Sequence, residues 1–178
     1  AYQAGHRIFG ENKVQELVEK SAVLPDDIQW HMIGHLQSNK VKYIAPFVSL
    51  IHAVDSKKLL IEIDKRARQY DRVIHCLLQI HIAQESSKFG LSEDEAIELL
   101  EMNLANVSVD GLMGMATFTN DKQQIRSEFK SLKNTFEKAK SKFNNLSILS
   151  MGMSGDYNIA IEEGSNMIRI GSSIFGSR

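Results

Sequence analysis

Leu149-Ser150-Met151-Gly152-Met153-Ser154-Gly155-Asp156, and beyond a short helical segment Met167-Ile168-Arg169-Ile170-Gly171-Ser172-Ser173-Ile174-Phe175-Gly176, decide how this chain folds. Each piece starts as an apolar β-rich run and ends in glycine and serine. Between them Asp156 is placed to cap a helix that Gly164 stops. A strand, a helix and a second strand in so short a span imply parallel strands joined by a helical crossover.

The same alternation continues towards the N-terminus. Strand-like runs fall at His6 to Phe9, Gln29 to Ile33, Val48 to Val54, Val73 to Ile82 and Val109 to Met115, with Leu146 to Met151 and Met167 to Ile170 completing seven. Helical spacing fills the gaps, most clearly where Ile125, Phe129, Leu132, Phe136 and Ala139 share one stripe opposite lysines. Ser92 and Glu95 have capping-box spacing, and Asp55 is placed to cap a helix over Leu59 to Arg68. An open doubly wound sheet and a closed (β/α)8 barrel both fit alternation. An open sheet in a chain of this size usually stops at five or six strands, so the expected fold is an α/β (β/α)8 TIM barrel. Ala1 to Gly5 reads as the last turn of a helix stopped by Gly5, with no initiating methionine. The expectation is a single barrel domain over residues 1–178 that lacks its N-terminal helix and first strand.

Composition narrows the partners. A formal net charge of −1 gives no electrostatic pull towards nucleic acid or an anionic membrane. No apolar stretch is long enough to span a bilayer, and no signal peptide is visible. One cysteine, Cys76, cannot form an internal disulfide, and its place in the Val73 to Ile82 run marks it as a buried thiol. A cytoplasmic, monomeric protein is expected.

Ser154 and the pair Gly171-Ser172 stand at the ends of the last two strands, where barrels build phosphate sites from backbone N–H groups, hydroxyls and a helix N-terminus. They are also ordinary turn residues, and composition alone leaves both readings open. Arg169 alternates with Ile168 and Ile170, which points it inward beside that place. It could meet a ligand there, or be buried with a carboxylate such as Glu11. His31, in Trp30-His31-Met32-Ile33-Gly34-His35-Leu36-Gln37-Ser38-Asn39-Lys40, is either an interior ligand contact or a satisfied core histidine. His35 and Lys40 read as solvated, and so does Lys88. Phe9-Gly10-Glu11-Asn12 brings a carboxylate and an amide to a strand end. No metal-ligand spacing, Walker loop, GxGxxG or GxSxG elbow occurs, so no metal and no catalytic residue is nominated.

Together these segments resemble the YggS/PROSC family of small pyridoxal 5′-phosphate (PLP)-binding proteins, related in fold to the N-terminal barrel of alanine racemase. The Trp30 to Lys40 block carries the resemblance, with Phe9 to Glu16, Gly111-Leu112-Met113, Ser150 to Ser154 and Arg169 to Gly176 in the same order. The resemblance implies that Ser154 binds the PLP phosphate, with Gly171 and Ser172 as further donors. It implies Arg169 opposite the pyridine nitrogen, and Asn12 and His31 lining the pocket. Ser172 stands where threonine is frequent, and Gly155 where an acidic residue is common. Relatives carry a Schiff-base lysine on the strand before the helix whose tail is Ala1 to Gly5, so none of the lysines present is expected to hold PLP covalently. Weak non-covalent PLP or phosphate binding is expected of the chain as given.

The function implied is a non-catalytic PLP protein of homeostasis, which binds, buffers and delivers the cofactor to PLP-dependent apo-enzymes. Two other readings stand beside it. A PLP-dependent amino-acid racemase needs acid-base groups on both faces of the substrate, and no second domain is expected after Arg178 to bring one. A phosphate-binding barrel without PLP needs only the serine and glycine loops.

Overall fold

A computed structural model describes residues 1–83 and 89–176, so Lys88 lies outside the described part. Strands β1 (Ile8–Glu11), β2 (Gln29–Met32), β3 (Leu50–Val54), β4 (Ile74–Gln79), β5 (Val107–Met113), β6 (Ile148–Met153) and β7 (Met167–Arg169) form one sheet in sequential order. The helices are α1 (Val14–Ser21), α2 (Val41–Ile44), α3 (Lys57–Gln69), α4 (Glu93–Leu100), α5 (Lys122–Lys142), α6 (Tyr157–Glu162) and α7 (Ser172–Phe175). The β1–β2, β2–β3, β5–β6 and β6–β7 pairs are parallel, as crossover helices require. The chain clusters into two compact units, Ala1–Leu77 with Asn103–Ser108, and Leu78–Met102 with Val109–Arg178.

In the first unit every residue of β3 is buried, the signature of a strand covered on both faces. Helix α3 turns Leu59, Leu60, Ile63 and Ala67 inward. Its cap differs from the sequence expectation. Ser56, not Asp55, is the N-cap, and its Oγ accepts a hydrogen bond from Leu59 N at 3.4 Å. Asp55 is drawn away to His35, whose Nδ1 lies 3.1 Å from Oδ2. The opening turn, a 3-10 helix over Tyr2–Ala4, does stop on Gly5, at φ 91°. The first strand starts two residues later than the apolar pattern suggests. Arg7 is held outside it by Asp27, with Nε donating at 2.6 Å.

In the second unit α4 carries the capping box that the Ser92 and Glu95 spacing predicts. Helix α5 buries Ile125, Phe129, Leu132, Phe136 and Ala139 on one stripe. Each large side chain there contributes roughly 1.5–3 kcal/mol. Glu128 sits on the same face and is buried as well. Its carboxylate accepts from Thr117 N at 2.6 Å and Thr117 Oγ1 at 2.7 Å, which ties down the loop after β5. Cys76 is fully buried in β4. No helix among the described residues is long and apolar enough to cross a membrane.

Candidate functional site

The end of β6 is shaped by one extra residue. Ser150 pairs with Met167 and Met153 with Arg169, so three steps on β6 face two on β7. Gly152 takes the bulge at φ 96°, where an added Cβ would lie 2.6 Å from Ala160 Cβ. Only glycine fits there. Asp156 then closes the turn: it is the N-cap residue of α6, as the sequence suggests, but its carboxylate accepts from Met153 N at 2.6 Å and makes no capping bond to the helix.

That turn delivers Ser154 to the start of α7. Its Oγ accepts from Gly171 N at 3.2 Å and from Ser173 N at 3.4 Å. Two backbone donors therefore converge on the Ser154 hydroxyl, which can itself donate. A Cβ at Gly171 or Gly155 would meet nothing within 4 Å, so open space adjoins the donors. The backbone of Gly171, at φ −118°, does not demand glycine; the room beside it is what an anion needs. Ser172 is exposed at the first position of α7. Ser173, which sequence reading passed over, supplies the second amide. Its neighbour Ser172 drew attention as a hydroxyl at the end of the last strand.

Arg169 points inward, as alternation along β7 predicts, and is 9% exposed. Nη1 donates to the Ser150 carbonyl at 3.1 Å and to Ser150 Oγ at 2.7 Å, and Nη2 donates to the Gly114 carbonyl at 3.1 Å. No described carboxylate lies within ion-pair distance, and Nε–H donates to no described residue. The alternative partner Glu11 is held in the first unit by Lys20, with Nζ 2.5 Å from Oε1. Burial pushes the guanidinium down to about 10, with the Asp156 charge pulling it back up, so it stays cationic at neutral pH. A buried cation held only by neutral acceptors costs stability, and such groups cluster where a ligand completes them.

In the first unit Asn12 is exposed just past β1, and its carbonyl would lie 2.3 Å from a Cβ on Gly34. That close approach accounts for the glycine in the Trp30 to Lys40 block. His31 is buried, with Nδ1 3.0 Å from His52 Nε2, and burial lowers its pKa to about 4. An unfolded histidine near 6.5 binds its proton more readily than this one. Stability is therefore present above about pH 6.5 and eroded as pH falls towards 4. Urea unfolding across that window should show the loss, and His31→Phe should flatten it.

The sequential parallel α/β sheet, with Ser154 gathering two amides at its last two strand ends, defines the barrel class of the alanine racemase N-terminal domain. The family model of that name, "Alanine racemase, N-terminal domain", matches residues 1–178. The chain belongs to this family, in its YggS/PROSC branch. It is 40% identical over 181 residues to the "Pyridoxal phosphate homeostasis protein" of Aquifex aeolicus, covering 99% of this chain and 79% of that protein. It is similar in structure to PipY, the COG0325 family member of Synechococcus elongatus, in two forms. The form without PLP gives a TM-score of 0.93 at 34% identity, over 99% of this chain and 85% of that one. The form with PLP bound gives 0.88 at 33%, over 99% and 84%.

Proposed function

We propose that this chain binds pyridoxal 5′-phosphate reversibly and serves PLP homeostasis, holding the cofactor and passing it to PLP-dependent apo-enzymes, not catalysing a reaction on it. A cytoplasmic location and a monomeric state go with that reading. The observation that carries it is Arg169, a buried guanidinium without a carboxylate partner among the described residues, two residues from an amide that converges with another on Ser154.

The donor set fits the group. The amides of Gly171 and Ser173 and the hydroxyl of Ser154 would hold the phosphate, with Ser172 exposed beside them. Arg169 would meet the ring nitrogen. Asn12 and His31 are assigned to the pocket on the resemblance. When bound, PLP supplies an aldehyde and a ring that draws electrons once its nitrogen is protonated. Arg169 is permanently cationic and can only donate, so it keeps that nitrogen in its unprotonated, accepting form. A ring held so is a weak electron sink, which suits a carrier better than a racemase.

Absorbance titration of the purified chain with PLP, with inorganic phosphate as competitor, tests the reading. Ser154→Ala should weaken binding about tenfold, the usual size for losing one charge-assisted hydrogen bond, and leave the unfolding midpoint nearly unmoved. Wild-type chain that does not bind PLP would sink the proposal. Binding accompanied by racemisation of alanine would move the protein into the racemase class.

A further inference from the structure

Ser150 pairs with Met113 of β5 on one side and with Met167 of β7 on the other, so β6 runs between those two strands. The Arg169 side chain crosses all three. It starts on β7, reaches Ser150 on β6 with Nη1, and meets the Gly114 carbonyl just past β5 with Nη2. Every one of these residues belongs to the second unit.

Two of the three acceptors are main-chain carbonyls, and the Ser150 carbonyl also takes the Gly114 N–H at 3.1 Å. The Ser150 hydroxyl is the one side chain among them, and its 2.7 Å bond to Nη1 is the shortest. Ser150 is fully buried. A carboxylate at that place would neutralise the guanidinium with a bidentate pair. A hydroxyl fixes its orientation and leaves the charge to a ligand.

The five N–H groups of a guanidinium lie in one plane, so holding the Nη1 end also directs Nε–H. That N–H donates to no described residue. No sealed side-chain nitrogen or oxygen among the described residues lacks a partner, so Nε borders accessible space. Arg169 is thus a buried cation gripped at its tip, with one N–H unpaired and within reach of a ligand.

We propose that Ser150 is a positioning residue for the ligand ring: its hydroxyl holds Nη1 and so presents the unpaired Nε–H of Arg169 to the ring nitrogen. This rests on the functional reading above in one respect, that the ring nitrogen of PLP meets Arg169.

The test titrates wild type and Ser150→Ala with three ligands: PLP, its deaza analogue with carbon in place of the ring nitrogen, and inorganic phosphate. Alanine removes the hydroxyl and adds no bulk. It should weaken PLP binding about tenfold, the size of one lost hydrogen bond to a charged group. The deaza analogue and phosphate offer no ring nitrogen, and should bind the variant within about twofold of wild type. Unchanged phosphate binding also reports an intact fold. In wild type, PLP should move the Arg169 Nε resonance in 15N NMR, a measurement that needs no variant. An alanine variant that binds PLP as tightly as wild type overturns the proposal. So does an equal loss for PLP and its deaza analogue, which would make Ser150 a residue of cavity shape alone. An Nε resonance that PLP leaves unmoved overturns it too. Wild type that binds neither PLP nor phosphate removes the functional reading and this inference with it, whereas the other three results remove this inference alone.

Discussion

Arg169→Leu is expected to weaken PLP binding about a hundredfold while changing the unfolding free energy by no more than about 1 kcal/mol. The two effects separate because opposing terms cancel in the ligand-free protein. Leucine removes three hydrogen bonds, one to the Ser150 carbonyl, which keeps the Gly114 N–H, one to Ser150 Oγ and one to the Gly114 carbonyl. Each lost bond costs about 1 kcal/mol. Against that, the substitution removes a buried cation that has no described carboxylate at hydrogen-bond distance, and relief of its desolvation is worth several kcal/mol. In the complex as proposed no such compensation would remain, because a charged donor to the ligand would be gone. Urea unfolding and PLP titration on the same preparation separate the two. A variant that unfolds far more easily yet binds PLP normally would make Arg169 a structural arginine.

Gly111→Ala should be the most damaging single methyl in the second unit. An added Cβ would stand 1.8 Å from the Ile148 carbonyl oxygen and 2.7 Å from its carbon. Those atoms belong to the paired strand, opposite Gly111 in the β5–β6 register, so no flexible side chain can swing aside. Forcing two hydrogen-bonded strands apart should cost about 4 kcal/mol or more, beyond ordinary overpacking. Gly155→Ala is the control, since its Cβ meets nothing within 4 Å and should be tolerated. Equal unfolding midpoints for the two variants would show that the β5–β6 spacing is not as tight as described.

How far the residues themselves foretold this depends on the kind of interaction. Strand order, the α5 stripe, the inward turn of Arg169 and the Ser92 capping box all follow from periodicity or fixed spacing, which sequence displays directly. The meeting of Ser154 with Gly171 was legible as a convergence of two strand ends, but the second amide, Ser173, was not. One residue of α7 geometry decides which N–H faces the hydroxyl. Asp55 and Asp156 illustrate the commoner failure. Both stand where a helix cap is expected, yet one carboxylate goes to His35 and the other to Met153 N. A cap competes with every other donor the fold brings near, and that competition is tertiary. Glu128 was hidden for the same reason. On a helical stripe a buried glutamate looks like an interruption until the loop that supplies Thr117 is in place.

The most direct measurement is a crystal structure of the chain grown with PLP. The phosphate should accept hydrogen bonds from the amides of Gly171 and Ser173 and from the Ser154 hydroxyl, with the ring on the Arg169 side. A phosphate found away from these donors, or a ring nitrogen turned from the guanidinium, would contradict the assignment.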